Sequence, residues 1–207
     1  MDPLTLKEKR KYELLFERLP EYRRDSPGEM FVDHFLECFK DDLKAGDRLI
    51  DFGCGSGKVA KIFLMKNLDV TLVDFCSNCL DEDVSALTML LSDQLRFVEA
   101  CLWDLPKELT NVDWIYCCDV LEHIPESQID AVLKGMAERT EKGGYLSICL
   151  KEELNGNQLV GEPLHLTVRD KAWWKEKVST HWQIHKEVIV FEELYFNCCI
   201  LRKNNDG

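Results

Sequence analysis

The chain has 207 residues, of which 45% are hydrophobic and 31% are charged, and its formal net charge is −12. A globular chain of this length buries about 70% of its unfolded surface, so we expect a single domain. The acidic charge disfavours nucleic acid as a partner, because phosphates are repelled. No run of about 18 apolar residues occurs, and the N-terminus lacks an apolar signal core, so we expect a cytoplasmic protein that does not span a membrane.

The ten cysteines are scattered through predicted strands and helices. Cys117 and Cys118 lie within one apolar run, where a free cysteine behaves as a small hydrophobic residue. Cys76 and Cys79 form a Cys-x-x-Cys pair, but no second pair or set of histidines follows at the spacing of structural zinc. We therefore expect reduced thiols, as in a cytosolic protein.

Two helices are predicted before the first strand. Residues 4–19 form an amphipathic pattern, with Tyr12 and Phe16 on its apolar face, and Pro20 ends this helix. A polar link from Tyr22 to Ser26 follows and is a candidate ligand contact.

The second helix begins with a recognisable start signal. Ser26 is the predicted cap, Pro27 occupies the first helical position, and Glu29 is the partner expected in a capping box. We expect residues 1–44 to form a helical cap on a sheet domain that spans residues 45–202.

A glycine-rich turn follows the first predicted strand, Leu49–Phe52. Its three glycines stand at alternate positions: Gly53, Gly55 and Gly57. A strand that turns into a helix through such a segment brings bare backbone against a ligand, because a Cβ would block positive φ and close approach. The N–H groups at the start of the next helix add partial positive charge.

Six further strands are predicted from apolar runs of strand length. They are Asp69–Asp74, Leu95–Ala100, Val112–Cys118, Tyr145–Leu150, Trp182–Phe191 and Leu194–Leu201. Helical patterns separate the first five strands of the chain, and Gly143 and Gly144 are expected to end the connection before the fifth. The alternation predicts an α/β doubly wound parallel sheet with helices on both faces. The short separation of the last two runs demands an antiparallel hairpin, which makes a seven-stranded mixed sheet.

Two acidic features lie where ligands bind in such sheets. Asp74 ends the second strand, where a doubly wound domain holds ribose hydroxyls. The segment from Asp119 to Pro125 follows the fourth strand and contains Glu122 and His123. The carboxyl end of a central strand is the usual position of a ligand crevice.

These motifs resemble those of the class I S-adenosylmethionine-dependent methyltransferases. Asp51 with the glycine turn is similar to the family's first motif, and the Asp119–Pro125 segment is similar to one that follows its fourth strand. The terminal hairpin is also typical of the family. The resemblance implies S-adenosylmethionine as the cofactor. Its predicted contacts are Asp51, Gly53, Cys54, Gly55, Gly57, Asp74, Phe75, Cys101, Leu102, Trp103 and Cys118.

One position departs from the family pattern. Many members carry Asp at the place of Cys101 to meet the adenine amino group. Either Asp104 substitutes, or backbone and apolar contacts at Leu102 and Trp103 suffice.

The resemblance implies transfer of a methyl group to O or N of an acceptor, most simply a small molecule. A hydroxyl acceptor needs a base, for which His123 and His165 are the candidates, with Asp119 beside them. An alternative is a metal-assisted O-methyltransferase that uses Asp119, Glu122, His123 and His165 as ligands.

Two other classes of protein remain open. A nicotinamide-dependent oxidoreductase is disfavoured, because the third glycine comes one residue early for a dinucleotide fingerprint and because the terminal hairpin is not part of a plain dinucleotide domain. A non-catalytic binding protein with the methyltransferase fold would carry the same motifs. No Pro-Cys nucleophile or Asn/Asp-Pro-Pro-aromatic motif occurs, so methylation of cytosine C5, or of amino groups by that second route, is not expected.

Overall fold

The computed structural model describes residues 3–24, 26–153 and 159–203. Its helices are α1 (Pro3–Arg18), α2 (Pro20–Arg24), α3 (Pro27–Cys38), α4 (Val59–Met65), α5 (Glu82–Leu90), α6 (Glu126–Arg139) and α7 (Lys171–His181). Its strands are β1 (Arg48–Phe52), β2 (Asp69–Asp74), β3 (Leu95–Glu99), β4 (Val112–Cys118), β5 (Thr140–Cys149), β6 (Trp182–Val188) and β7 (Tyr195–Arg202). A short 3-10 turn at Leu121–His123 follows β4.

The strands form one seven-stranded sheet in the order β3-β2-β1-β4-β5-β7-β6. Strands β1 to β5 are parallel, and β7 pairs antiparallel with both β5 and β6. The predicted doubly wound mixed sheet with a terminal hairpin is confirmed. The strand order reverses between β1 and β4, which is the position where ligands bind in such sheets.

The core consists of two apolar clusters. One joins α1, α3, α4 and α5 to the sheet and is rich in aromatic residues such as Phe35 and Trp114. The other joins α6 and α7 to the sheet and includes Leu133 and Trp174. Within the described ranges, no helix has the length and apolar character needed to cross a bilayer.

Gly143 and Gly144 lie inside β5, so the prediction that they end the connection before it is wrong. A Cβ at Gly143 would come within 2.2 Å of the Ile200 carbonyl oxygen, and one at Gly144 within 2.2 Å of the Ile115 oxygen. These glycines are therefore needed for close backbone packing within the sheet.

The predicted polar link from Tyr22 to Ser26 also differs from the structure, because its first three residues belong to α2. The Arg23 guanidinium donates to the carbonyl oxygens of Phe16, Asn78 and Leu80 at 2.7–3.0 Å, which fixes this short helix against neighbouring segments. Asp25 lies outside the described residues, as do positions 154–158 of the segment that follows β5.

The start of α3 agrees with the sequence in part. Pro27 occupies the first turn as predicted, but Ser26 makes no side-chain capping bond. The Glu29 N–H donates instead to the Ser26 carbonyl oxygen at 3.0 Å, so the first turn of α3 is closed by backbone alone.

Candidate active site

A cavity of about 630 Å³ lies at the carboxyl ends of β1, β2 and β4. Helices α1 and α2 run across it and contribute Tyr12, Phe16 and Tyr22 to its wall. Twelve predicted site residues line it: Asp51, Gly53, Cys54, Gly55, Asp74, Phe75, Leu102, Trp103, Cys118, Asp119, His123 and His165. Its size and its mixture of apolar walls with a few polar groups are typical of small-molecule sites.

The glycine turn forms the floor of this cavity. Gly53 and Gly55 have φ of +71° and +50°, a conformation that side chains disfavour. A Cβ at Gly53 would lie 2.4 Å from Val120, so this glycine is needed for packing. A Cβ at Gly55 would approach only Phe16, at 3.9 Å, so the protein leaves the space above Gly55 open.

Gly57 and Cys101, which are also predicted cofactor contacts, are not among the residues that line the cavity. A Cβ at Gly57 would lie within 3.1 Å of Leu72, Leu80 and Val84, so its hydrogen allows the turn to pack on the core. Cys101 is buried and pairs with Asp104 in an isolated bridge, which turns the chain after β3.

Asp74 binds the glycine turn from the end of β2. One of its carboxylate oxygens accepts the Gly55 N–H at 3.0 Å, and the other accepts the Cys76 N–H at 3.1 Å. Burial raises the pKa of Asp74 to about 6 despite these bonds. Two carboxylate oxygens offer about four acceptor positions, so Asp74 retains capacity for hydroxyl donors from the cavity.

Asp51 is a second buried carboxyl at the glycine-turn end of the cavity. Its side chain is 4% exposed, and no described residue donates a hydrogen bond to it. Burial, and then the neighbouring Asp74 charge, raise the pKa of Asp51 to about 7. A buried carboxyl without a partner is costly, so this arrangement is suited to a bound cation or N–H donor.

The other cavity walls near the glycine turn are apolar. Phe75 packs on the Tyr12 ring with centroids 5.4 Å apart. Burial raises the pKa of both the Cys54 and Cys118 thiols well above their usual value, so both are protonated apolar surfaces. The Trp103 indole N–H donates to the Thr5 hydroxyl at 3.0 Å, which joins the loop after β3 to α1.

The β4 end of the cavity begins at Asp119, whose φ of 60° is unusual for a residue other than glycine. Glu122 lies beneath it and is fully buried. Its Oε1 accepts the Cys149 N–H at 2.6 Å, whereas Oε2 receives no donor from the described residues. Burial raises the pKa of both carboxyls, and the neighbouring Asp119 charge raises that of Glu122 further.

His123 is fixed by α1 rather than by its own neighbours in sequence. Its Nδ1 lies 2.6 Å from the Tyr12 hydroxyl and 3.2 Å from the Leu164 carbonyl oxygen. Burial lowers the pKa of His123 to about 3, with a further contribution from His165. The ring is therefore neutral at physiological pH and a weak base.

His165 comes from the segment after β5 and packs edge-on against His123, with ring centroids 4.5 Å apart. Its Nδ1 contacts the carbonyl oxygen of Lys151. A carbonyl only accepts hydrogen bonds, so Nδ1 carries the proton and Nε2 is the free acceptor of the ring.

Two sets of possible metal ligands occur at this end. Ligand atoms of Asp119, Glu122 and His123 lie within 4.8 Å of one another, as do those of Glu122, Cys149 and His165. The Nδ1 atoms of both histidines already contact oxygen atoms of the protein. Nε2 is therefore the atom of each ring that could ligate a metal ion.

Several wall residues were not predicted from the sequence, among them Glu8, Tyr12, Tyr116 and Glu153. Tyr12 lies on the apolar stripe of an amphipathic helix, and Tyr116 within an apolar strand. Neither pattern distinguishes a cavity wall from a core. Tyr22 and Ser26, the two ends of the predicted ligand-contact link, do line the cavity.

Residues 49–144 match the family model described as a methyltransferase domain. Magnesium protoporphyrin IX methyltransferase from Synechocystis PCC 6803, solved with bound S-adenosylhomocysteine, is 16% identical with a TM-score of 0.72, covering 95% of this chain and 100% of that one. The 1,6-didemethyltoxoflavin-N1-methyltransferase of Burkholderia thailandensis is 14% identical with a TM-score of 0.72, covering 97% and 88%.

A third similar structure is the N-methyltransferase NodS from Bradyrhizobium japonicum WM9 in complex with S-adenosylhomocysteine. It is 10% identical, with a TM-score of 0.66, and the match covers 95% of this chain and 98% of that one. At these identities the structures show a shared fold. The chain therefore has the fold of these S-adenosylmethionine-dependent methyltransferases, and a part of it, residues 49–144, matches the methyltransferase-domain model.

Proposed function

We propose that this chain binds S-adenosylmethionine in the cavity and transfers its methyl group to a nitrogen or oxygen atom of a small-molecule acceptor. The observation that best supports this proposal is the pair of buried carboxyls at the glycine turn. Asp51 lacks a donor and is suited to the ammonium group of the cofactor's methionine part, and Asp74 has acceptor capacity for its ribose hydroxyls. Both carboxyls line the cavity together with Gly55, above which the protein leaves space.

The remaining parts of the cofactor have matching surfaces. Phe75, Leu102 and Trp103 offer apolar and aromatic walls for the adenine base. This supports the view that base contacts are apolar, since Cys101 does not reach the cavity. When bound, the cofactor supplies a methyl group on a positively charged sulfur atom, which is already an activated leaving group.

The protein itself aligns the reacting groups, excludes water and removes one proton from the acceptor. Alignment of the reacting groups can account for about 7–11 kcal/mol of a barrier. Tyr12 and Tyr22 of the helical cap lie over the cavity and limit its contact with solvent. For proton removal we assign His165, whose Nε2 is free, because burial lowers the pKa of His123 to about 3.

A metal-assisted hydroxyl methylation is the second candidate function. It is favoured by the two sets of ligand atoms around Glu122, each within 4.8 Å. Two carboxylates and two imidazoles could hold a divalent ion and acidify an acceptor hydroxyl. Turnover measured before and after chelation of divalent ions separates the two candidate functions.

We propose a cytoplasmic location, in keeping with the ten free cysteines. We also propose that a small molecule rather than nucleic acid is the acceptor, because the net charge of −12 repels phosphates. Calorimetric titration with S-adenosylmethionine, S-adenosylhomocysteine and NAD tests the cofactor. We expect one site for the first two compounds and no heat with NAD. Binding of NAD alone would contradict the proposal and favour an oxidoreductase.

A second assay addresses the reading as a non-catalytic binding protein. Release of S-adenosylhomocysteine is measured after incubation of the protein with S-adenosylmethionine and a metabolite extract. We expect release above that of the Asp119→Asn variant. Equal release from both proteins would contradict a catalytic role for this end of the cavity.

A further inference from the structure

Three potential metal ligands meet beside the glycine turn. They are Cys54 within the turn, Asp74 at the end of β2, and Cys79 in the loop between β2 and α5. Their ligand atoms lie within 4.8 Å of one another, and all three residues are buried. Burial raises the pKa of the Cys54 thiol, and a hydrogen bond with the Cys79 thiol raises it further, so the two thiols are in contact. Cysteine sulfur and aspartate oxygen are both zinc ligands in proteins.

The two sulfur ligands of this set are not the Cys-x-x-Cys pair of the sequence. The Cys76 thiol donates to the Lys9 carbonyl oxygen at 3.5 Å, so it contacts α1. Cys54 instead lies beside Cys79, because β1 and β2 are adjacent parallel strands whose carboxyl ends meet. The spacing of the cysteines therefore does not indicate this set, which the sheet assembles from two separate turns.

Backbone contacts hold the three ligands in place before any ion binds. The Cys54 N–H donates to a carbonyl oxygen of β2 at 3.1 Å, and Asp74 accepts the Gly55 N–H at 3.0 Å. The Arg23 guanidinium donates to the carbonyl oxygens on both sides of Cys79, at 2.7 and 2.8 Å. A preformed set of ligands binds an ion with little loss of conformational freedom.

The existing contacts of these side chains are compatible with a bound ion. Each Asp74 oxygen that accepts an N–H has a further lone pair. The Cys54 thiol lies 3.7 Å from the Gly55 carbonyl oxygen, a weak contact that a metal–sulfur bond would replace. Two sulfur atoms on one tetrahedral zinc ion are about 3.8 Å apart, since each Zn–S bond is about 2.3 Å. Cys54 and Asp74 line the cavity, which gives the ion a route to the set.

We propose that Cys54, Asp74 and Cys79 bind one thiophilic divalent cation, such as Zn²⁺ or Cd²⁺, and that this ion and S-adenosylmethionine exclude each other. Sulfur ligands select such ions over Mg²⁺ and Ca²⁺. Each thiol releases its proton to solvent and gives an electron pair to the ion, so two sulfur–metal bonds replace two S–H bonds. The ion occupies the Asp74 lone pairs that were assigned to the ribose hydroxyls. Only the exclusion rests on the proposed function, whereas the binding of the ion stands without it.

Titration of the full chain with Cd²⁺ tests the site, with the thiols kept reduced by a phosphine. Binding is followed by the ultraviolet absorbance that appears when a thiolate coordinates cadmium, and we expect saturation at one ion per chain. Cys79→Ser should weaken the binding of Cd²⁺ by at least about 100-fold, because loss of an outer-shell partner alone costs about 10–100-fold. Absence of the absorbance in the wild type would overturn the inference, as would wild-type affinity in Cys79→Ser.

Cys149→Ser is the matched control, because Cys149 belongs to the separate set with Glu122 and His165. It should bind Cd²⁺ as the wild type does, and loss of the absorbance in this variant alone would place the ion at the other set and contradict the inference. Cys54→Ser is a second test, in case Cys79→Ser does not fold. Cys54 borders the cavity, and its variant should lose Cd²⁺ affinity to a similar extent.

A competition experiment on the wild type tests the exclusion. S-adenosylhomocysteine at about 100 times its Kd should weaken the apparent affinity for Cd²⁺ by about 100-fold, as mutual exclusion requires. Unchanged Cd²⁺ affinity with bound S-adenosylhomocysteine would contradict the exclusion. If S-adenosylhomocysteine fails to bind the ion-free protein, the proposed function is wrong, and the titrations of the serine variants still decide the metal site.

Discussion

The two ends of the cavity are built in different ways. At the glycine-turn end, Asp51, Gly55 and Asp74 come from two adjacent parallel strands and the turn after one of them, and backbone N–H groups hold Asp74 in place. At the β4 end, His123 is held by a tyrosine 111 positions away in the chain, and His165 by a carbonyl 14 positions away. The first end is local in sequence, whereas the second is assembled by packing of the cap and the segment after β5.

This difference indicates which parts of the chain hold each end of the cavity in place. A strand–turn–helix with two acids can recognise one cofactor with little help from the rest of the chain. The β4 end depends on α1 and on the segment that carries His165, and such connecting segments tolerate change. We therefore expect mutations at the glycine turn to alter cofactor binding, and mutations at the β4 end to alter turnover.

The largest effect is expected from Gly55→Val. The protein leaves the space above Gly55 open, so new methyl groups would occupy the cofactor's volume and bring its binding below detection by calorimetry. Gly46→Val is the matched control, since Gly46 also has positive φ but nothing within 4 Å of its Cβ position. It should lose about 1–3 kcal/mol of stability and still bind. An unaltered titration with Gly55→Val would show that the loop is only a turn.

Asp74→Ala should weaken binding of S-adenosylmethionine by about 10–100-fold, because hydrogen bonds to a charged group contribute about 1.5–3 kcal/mol. Asp69→Ala, at the start of the same strand, is the control and should bind normally. Affinity of the wild-type order in Asp74→Ala would contradict the ribose assignment.

The dependence of thermal stability on pH tests the two buried acids of the glycine-turn end, Asp51 and Asp74. Burial raises the pKa of Asp51 to about 7 and of Asp74 to about 6 in the folded protein. Their contribution is therefore fully present below about pH 4 and is lost as the pH rises through about 6–7. We expect the Tm of the cofactor-free protein to fall by roughly 5–10 °C between about pH 5 and pH 8.

Asp51→Asn is the variant that isolates this effect. It should flatten the profile above about pH 6, since an amide does not ionise. A profile unchanged by the substitution would mean that Asp51 does not carry the predicted shift.

At the β4 end, Tyr12→Phe removes the hydroxyl that contacts His123 at 2.6 Å. We expect kcat to fall by about 2–10-fold, the equivalent of one neutral hydrogen bond, with cofactor affinity unchanged. Tyr145→Phe is the control, because Tyr145 is buried outside the cavity and contacts Asn197. A loss of cofactor affinity in Tyr12→Phe, with unchanged kcat, would reverse the division between the two ends.

The smallest effect is expected from removal of divalent metal ions. Turnover measured before and after exhaustive chelation should agree, because the acceptor's proton is assigned to Nε2 of His165 and no step then needs a Lewis acid. Loss of activity that is restored by Mg²⁺ or Zn²⁺ would favour the metal-assisted function at Glu122 and the two histidines instead.

The sequence named residues at both ends of the cavity, but the contacts of the glycine-turn end follow from local patterns and those of the β4 end do not. Strand period, glycine spacing and a strand-end acid are local patterns, so Gly55 and Asp74 could be placed before the fold was known. Gly57 has the same local signal as Gly55, yet it packs on Leu72, Leu80 and Val84, and alternation alone does not say which face of the turn is open.

The β4 end shows the limit of local patterns. The contact of Tyr12 with His123 depends on how α1 crosses the sheet, which no spacing within α1 encodes. The same holds for the Lys151 carbonyl that fixes the tautomer of His165. Sequence patterns named both histidines but could not show that burial lowers the pKa of His123.

A crystal structure of the protein with S-adenosylhomocysteine tests the central claim most directly. The account predicts that the ligand's amino group lies within hydrogen-bond distance of Asp51 and that its ribose hydroxyls contact Asp74. It also predicts that the ligand occupies the open space above Gly55. A ligand bound elsewhere, or a cavity that remains closed at saturating ligand, would contradict the cofactor assignment and the chemistry derived from it.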